Sequence, residues 1–297
     1  MNHNNRLFTP FSLNLHGNLC EFTRPQIMGI INVTPDSFYP GSRVADDTAI
    51  CHRVEEMLGQ GVDMIDVGAY SSRPGADDVT PDEELRRLRM GLEAIRRVAP
   101  NIPVSVDTFR ASVARVAVEE LGADIINDIS GGLLDEAMAT TIVSLRVPYV
   151  LMHMRGTPAT MQQLTDYPEG DVTAGVLQEL SERIETLTQL GVNDIIVDPG
   201  FGFSKTLEQN YDLLRNLGLL QCFERPVLVG MSRKSMITRA LDIAPDQALP
   251  GTIAANTIAL MQGAAILRVH DVEAARQAIT VAELTCGSTN IYTRIQS

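Results

Sequence analysis

Nothing in this sequence points to a membrane, a disulfide framework or a zinc site. No stretch approaches the roughly 20 uninterrupted apolar residues that a membrane helix needs. The four cysteines, Cys20, Cys51, Cys222 and Cys286, stand far apart and form no CxxC. Such scatter suits reduced thiols in the cytosol better than a bridged scaffold. The opening stretch, MNHNNRLFTPFSLNL, lacks an apolar core followed by a small-residue cleavage site. No secretion signal is therefore expected, and a cytoplasmic protein is. HExxH is missing, and no Cys or His spacing fits zinc. Positive charge is scarce: 24 Lys and Arg stand against 37 Asp and Glu, a formal net charge of −13. That field repels nucleic acid and anionic lipid, so neither is expected as a partner, and an anionic substrate would need local cations to hold it. No low-complexity tract or Pro/Gly/Ser-rich linker divides the 297 residues, so one domain spanning 1–297 is expected.

What the chain does contain is a recurring phrase. Gly61-Val-Asp-Met-Ile-Asp66 is echoed by Gly122-Ala-Asp-Ile-Ile-Asn127, by Gly191-Val-Asn-Asp-Ile-Ile-Val-Asp198 and, more weakly, by Gly263-Ala-Ala-Ile-Leu-Arg268. Each follows an amphipathic helical stretch and joins a Gly suited to a helix end, a short apolar run and a polar residue. Further apolar runs at Ile27–Ile31, Val104–Val106, Tyr149–Met152 and Val227–Val229 bring the total to eight short strands. Helical segments such as Asp82–Val98, Arg110–Leu121 and Val172–Leu190 separate them. Continuous hydrophobicity marks strands buried on both faces, as in a parallel sheet. Eight βα units in about 250 residues predict an α/β fold of the closed (β/α)8, or TIM, barrel type. Before it, apolar residues on either side of His16-Gly17-Asn18 predict an N-terminal β-hairpin at about 6–24, capping the barrel's bottom. A doubly wound open sheet is the main rival, but Asn32-Val-Thr-Pro-Asp is nothing like the Gly-rich turn it should carry after its first strand.

The active site of such a barrel lies at the C-terminal ends of its strands. The residues there are Asn32, Asp66, Asp107, Asn127, His153, Asp198, Ser232 to Lys234, and Arg268 with His270. One Asp after a strand is ordinarily a helix cap. Polar groups at eight strand ends in one register predict a ring converging on a single mouth. The runs around them are more specific: Met28-Gly-Ile-Ile-Asn-Val-Thr-Pro-Asp-Ser-Phe38, Asp66-Val-Gly-Ala-Tyr-Ser-Ser-Arg-Pro-Gly75, Val104-Ser-Val-Asp-Thr108 and Ile126-Asn-Asp-Ile-Ser-Gly-Gly132. Leu151-Met-His-Met-Arg-Gly156, Asp198-Pro-Gly-Phe-Gly-Phe-Ser-Lys205, Gly230-Met-Ser-Arg-Lys-Ser235 and Arg268-Val-His-Asp271 follow. In this order and spacing, from about residue 24 to 280, the chain resembles the dihydropteroate synthases, pterin-binding TIM-barrel enzymes of folate biosynthesis.

That resemblance implies a transferase that joins a 6-hydroxymethyl-7,8-dihydropterin diphosphate to p-aminobenzoate, releasing diphosphate and giving 7,8-dihydropteroate. It also implies a homodimer and a sulfonamide target. It assigns Asp107, Asn127 and Asp198 to the donor-rich edge of the pterin, with Met152 in the same pocket, Lys234 donating to the ring and Arg268 flanking it. Asn32 is the family's Mg²⁺ ligand position on the diphosphate. Arg268 and His270, two apart on the last strand, would share the inner side and hold the β-phosphate. Ser72, Arg73 and Pro74 would lie on the second βα loop with Phe203 and the Lys234-Ser235 pair opposite, so that Pro74, Phe203 and the Lys234 stem sandwich the p-aminobenzoate ring. Ser235, at a helix start, would bind the carboxylate. Two departures stand out: Ser72 where the family often has Thr, and Ala69-Tyr70-Ser71 in place of Gly-Glu-Ser.

The implied reaction is electrostatic. Diphosphate leaves to give a pterin-stabilised methylene cation, which the arylamine attacks; Mg²⁺, Arg268 and His270 stabilise the departing charge, and Asp107 and Asp198 the electron-poor ring. The bland alternative makes Asp198 and Lys234 a structural ion pair. Rival functions are a pterin-dependent methyltransferase, which needs no diphosphate site, and a catalytically inactive pterin-binding paralogue. Gly200-Phe-Gly-Phe-Ser-Lys-Thr206 superficially resembles a phosphate loop but lacks its Gly-Lys-Ser/Thr ending, and reads as a tight turn with a Phe wall.

Overall fold

The structure, a computed structural model, describes residues 8–33, 47–70 and 79–286. It opens with the expected hairpin, β1 (Phe11–Leu15) and β2 (Asn18–Phe22), paired antiparallel. His16 and Gly17 turn the chain at φ 50 and 80, the left-handed pair that a two-residue hairpin needs. Phe11 stacks on Phe22 with ring centroids 4.9 Å apart. Inward-facing Leu13 and Leu15 are buried in the main core.

Eight parallel strands follow, alternating with helices. They are β3 (Gln26–Asn32), β4 (Met64–Gly68), β5 (Val104–Asp107), β6 (Ile125–Asp128), β7 (Tyr149–Met152), β8 (Ile195–Asp198), β9 (Leu228–Val229) and β10 (Ile266–Val269). Hydrogen bonds join β3 through β8 in chain order, with β10 beside β3 and β9 beside β10. The barrel closes between β8 and β9 through a single parallel bridge, Val197 to Val227, with the Val197 N–H donating to Pro226 O at 2.9 Å. The outer layer consists of α1 (Asp47–Gly59), α2 (Pro81–Val98), α3 (Ala111–Glu119), α4 (Met138–Leu145), α5 (Val172–Leu190), α6 (Leu207–Arg215), α7 (Ser235–Leu241), α8 (Leu249–Met261) and α9 (Val272–Thr285). The helix boundaries have local causes. Thr80 accepts from the Glu83 N–H ahead of Pro81 at the first position of α2. Gly191 ends α5 at φ 98, where a side chain would be strained. No helix among the described residues is long and apolar enough to cross a membrane.

The strand register decides which side chains face the barrel axis. Asn32 pairs with Gly68, Gly68 with Asp107, Asp107 with Asn127, and Met152 with Asp198. Asn127 pairs with Val150, two residues before Met152, and Arg268 pairs with Met28, four before Asn32. Side chains alternate along a strand, so Asn32, Asp66, Asp107, Asn127, Met152, Asp198 and Arg268 share one face, and that face is the interior. Asp128 and His153 have the opposite parity and point into the layer between barrel and helices. His153 therefore does not converge on the mouth as the strand-end reading expected. Gly68, between Asn32 and Asp107, keeps room there: a Cβ would lie 3.3 Å from Asn32 Oδ1 and 3.7 Å from Asp107 Cβ.

Candidate active site

The interior face carries a cluster of charge in an almost dry setting. Asp66 is fully buried, and its Oδ2 accepts from Arg268 Nε at 2.7 Å and from Asn127 Nδ2 at 3.1 Å. Its other oxygen finds no hydrogen-bond partner among the described residues. Arg268 also reaches Asp107, Nη2 to Oδ2 at 2.9 Å. Burial disfavours the guanidinium charge, but Asp66 and Asp107 outweigh it and hold its pKa above the ordinary value. Burial pushes the Asp107 carboxyl up to about 7; Arg268 opposes that rise, while Asp66 adds to it by like-charge repulsion.

Opposite, Asp198 and Lys234 flank the seam between β8 and β9. Burial raises the Asp198 carboxyl, against the pull of the Lys234 charge and of the Gly200 N–H, which donates to Oδ1 at 2.8 Å. Burial lowers Lys234 to about 8, with Asp198 holding it up. The two form no direct ion pair among the described residues; Lys234 Nζ instead donates to Phe201 O at 2.7 Å and lies 4.7 Å from the Phe203 ring centroid. A purely structural Asp198–Lys234 pair is thus not what holds this corner. Phe203 and Met152 join Ile129, Met154 and Met161 in a small apolar cluster separate from the main core, which walls this side of the mouth. Ser235 is exposed at the first residue of α7. His270 follows the end of β10, its Nδ1 3.0 Å from Ser232 Oγ. The same Oγ accepts from the His270 backbone N–H at 3.3 Å, so one serine hydroxyl anchors both the ring and the main chain of His270. Burial, then the Arg268 charge, lowers His270 to about 4, which leaves a neutral ring at pH 7.

Asp107, Asn127, Met152, Asp198, Phe203, Lys234, Arg268, His270 and Asn32 therefore gather at the C-terminal end of the barrel, with Ser235 at its rim. Ser72, Arg73 and Pro74 lie outside the described residues. The reading from sequence gave Asp66 a place in the ring but no role; parity with Asp107 is the signal that puts it inside. It also missed the buried chemistry behind the mouth. His153 lies between Glu179 of α5, at 3.1 Å from Nε2, and Lys205, at 3.1 Å from Nδ1. Asp128 accepts from Tyr149 Oη at 2.7 Å and from the Ser130 and Gly132 N–H groups, fixing the turn after β6. The unexplained Tyr70 has a partner set: its ring meets Phe109 edge-on at 5.1 Å, and the Arg110 guanidinium lies over both rings.

Buried acids, an amide and Arg268 share one interior face, with Lys234 at the rim, which is the lining of a polar binding pocket at the mouth of a (β/α)8 barrel. Residues 28–270 match the family model of pterin-binding enzymes. The dihydropteroate synthase of Synechocystis sp. is 43% identical, over 88% of this chain and 90% of its own length. That of Escherichia coli K12 is 42% identical, over 91% and 94%. The crystal structure of Yersinia pestis dihydropteroate synthase with a sulfonamide drug complex superposes with a TM-score of 0.86 at 38% identity, covering 94% of this chain and all of that one. The Xanthomonas albilineans enzyme with 4-aminobenzoic acid gives 0.84 at 38%, covering 93% and 98%. The chain belongs to the dihydropteroate synthases within the pterin-binding enzyme family.

Proposed function

We propose that the chain condenses 6-hydroxymethyl-7,8-dihydropterin diphosphate with p-aminobenzoate, giving 7,8-dihydropteroate and diphosphate. The observation that carries this is the common interior face of Asp107, Asn127, Asp198 and Arg268, with Lys234 coming over the rim. Carboxylates accept the parallel N–H bonds of a 2-amino-pyrimidinone edge, and a carboxamide both donates and accepts. Burial raises both Asp107 and Asp198. A ligand that donates to them restores their charge, and hence binds by more than shape.

In the reaction the methylene C–O bond breaks, the diphosphate departs with the electron pair, and the arylamine nitrogen forms the new C–N bond and then loses its proton. Arg268 supplies a permanent cation toward the leaving group, and neutral His270, in the tautomer whose Nδ1 accepts from Ser232, an Nε2–H donor. Lys234 donates to the pterin while its stem and Phe203 wall the p-aminobenzoate ring; Met152 closes the pterin side. Ser72, Arg73, Pro74 and Ser235 complete the acceptor pocket in this reading. A sulfonamide, which offers an arylamine and an acidic group at similar spacing, competes there.

Mg²⁺ belongs to the same proposal. No group of three or more His, Cys, Asp or Glu able to hold a metal occurs among the described residues. The interior set near Asn32 offers one neutral amide oxygen, which suits an ion that takes most of its ligands from water and diphosphate. Held by Asn32 and the substrate, Mg²⁺ would neutralise charge on the diphosphate. The protein is also proposed to be cytoplasmic and a homodimer through the outer faces of α7 to α9. Leu241, Ile258, Met261 and Val281 are exposed there, although α8 is apolar around most of its circumference. Sedimentation at the mass of one chain would reject the dimer.

The deciding experiment measures pyrophosphate release from the purified protein with Mg²⁺ and the pterin diphosphate, with and without p-aminobenzoate. Release that requires p-aminobenzoate, and collapses in Lys234→Ala and Arg268→Ala, supports the reading. Folded, pterin-binding protein that releases none rejects it in favour of an inactive pterin-binding relative.

A further inference from the structure

Lys205 is 3% exposed and lies at the end of the segment that superficially resembles a phosphate loop, yet the reaction gives it nothing to do. Its ammonium donates to Gly200 O at 3.0 Å, to Phe203 O at 3.0 Å and to His153 Nδ1 at 3.1 Å. Burial lowers its pKa to about 7, with the Asp198 charge opposing the fall; protonated, it spends all three of its donors in these bonds. No carboxylate touches it directly among the described residues. Burying a cation on neutral acceptors is costly, and a Met or Leu of similar size would avoid that cost. The arrangement therefore needs a reason beyond packing.

The reason lies in what the three acceptors hold. Gly200 has φ 70, and a Cβ there would sit 2.0 Å from His153 O, so the turn is pressed against the end of β7. Ser204 adopts φ 48, its Oγ accepting from the Arg155 N–H at 3.1 Å and its carbonyl from Tyr167 Oη at 3.1 Å. The turn thus wraps around the ammonium, with the carbonyls of residues 200 and 203 aimed inward. Between them Phe201 O is left to face the mouth and receive Lys234, and the Phe203 ring is set beneath the same Lys234 ammonium. His153 is fixed in turn. Its Nε2–H donates to Glu179, which is itself paired with Arg155, so Nδ1 stays an acceptor. Burial, then the Lys205 charge, lowers the imidazole to about 4, which keeps that neutral tautomer in place.

We propose that Lys205 is a positioning residue for the p-aminobenzoate half of the site: through Gly200, Phe203 and His153 it sets the turn that holds Lys234 and the Phe203 wall. The proposal rests on the synthase reading. It weighs on the two substrates unequally: Asp107, Asn127 and Arg268 of the pterin face stand on other strands, Asp198 and Lys234 touch this turn only through the Gly200 N–H and Phe201 O, and the Phe203 wall belongs to it outright.

The test is steady-state kinetics of Lys205→Met, Lys205→Arg and His153→Leu beside the unmodified protein, varying each substrate in turn, with thermal melts on the same samples. Lys205→Met is expected to raise KM for p-aminobenzoate ~10-fold or more, as misplacement of a binding wall does, with KM for the pterin diphosphate raised by a clearly smaller factor, about threefold or less, through Asp198 and Lys234. Lys205→Arg should recover much of the loss, and His153→Leu should shift the same constant in the same direction by less. If Lys205→Met does not fold, the His153→Leu split decides alone. A lowered melting temperature with both KM values unchanged, or both raised alike, overturns the proposal. Inactivity of the unmodified protein would instead reject the synthase reading.

Discussion

The two ends of the recurring phrase do opposite things with the same side chain. At the start of the first three phrases, on the barrel's N-terminal face, an Asp is tied to the main chain of another strand. Asp63 Oδ2 accepts from the Ile27 N–H at 2.8 Å and from Arg276 at 2.6 Å. Asp124 Oδ2 accepts from the Val104 N–H at 2.7 Å and from Arg96 at 2.8 Å, while Oδ1 meets His16 of the hairpin turn at 2.9 Å. Asp194 accepts from the Asn14 N–H at 3.2 Å. Each carboxylate ties the start of its own strand to an earlier strand. Three or four residues on, at the C-terminal face, Asp66, Asn127 and Asp198 are buried with capacity unspent. At one end of the barrel these polar groups are bonded to other strands; at the other they keep bonding capacity open toward the mouth. A site in this fold is recognised by what its buried polar groups leave undone.

The sharpest way to break that contrast is to make equivalent changes at both ends. Asp198→Asn is expected to cut kcat/KM by ~10²-fold or more, with the melting temperature unchanged or raised because a buried charge is gone. Asp124→Ala should do the reverse. It strands the Val104 N–H and takes from Arg96 its carboxylate partner, costs about 2–3 kcal/mol, and lowers the melting temperature by roughly 3 to 5 °C without changing kcat of the folded fraction. Loss of turnover in Asp124→Ala at full folding would end the division of labour.

A third change sharpens the electrostatics. Burial holds the folded Asp107 carboxyl at about 7 against an ordinary 3.8. Between those values the folded protein keeps a proton that the unfolded chain has released, so this residue costs stability progressively as pH rises from about 4 to about 7. Asp107→Asn should therefore melt higher than the unmodified protein, by a margin that widens across that window and then stays constant. Melts at matched pH values check this, and the histidine contributions cancel in the difference. A margin that shrinks with rising pH contradicts the assignment. The smallest effect belongs to Asp194→Ala, about 1 kcal/mol, felt mainly as faster amide exchange in β1.

The barrel was legible because its signals are periodic. Runs buried on both faces, glycines at helix ends and a polar residue closing each run all recur, and the hairpin announced itself by His16-Gly17. The predicted helices agree with α2, α3 and α5 to within about two residues, the usual uncertainty of a helix end. Less visible was which of two adjacent polar residues faces inward. Asn127 and Asp128, or Met152 and His153, differ only by strand parity, and parity is settled by register with neighbours far along the chain. Lys205 was invisible for another reason: a buried lysine held by backbone carbonyls leaves no pattern in side-chain chemistry. Tyr70 departs from the family pattern by pairing with Phe109 and Arg110, a partnership spanning two loops.

The closure between β8 and β9 has a mechanical consequence. β9 has only two residues, and one bridge joins its side of the barrel to β8, so the cylinder is zipped almost everywhere and merely hooked at this seam. Asp198 and Lys234 stand on the two lips of that gap. A molecule grasped by both would work as a clasp across the most thinly bonded line of the wall, so that filling the site would stiffen the cylinder there. Occupancy would then be readable far from the mouth, as slower amide exchange along β8 and β9.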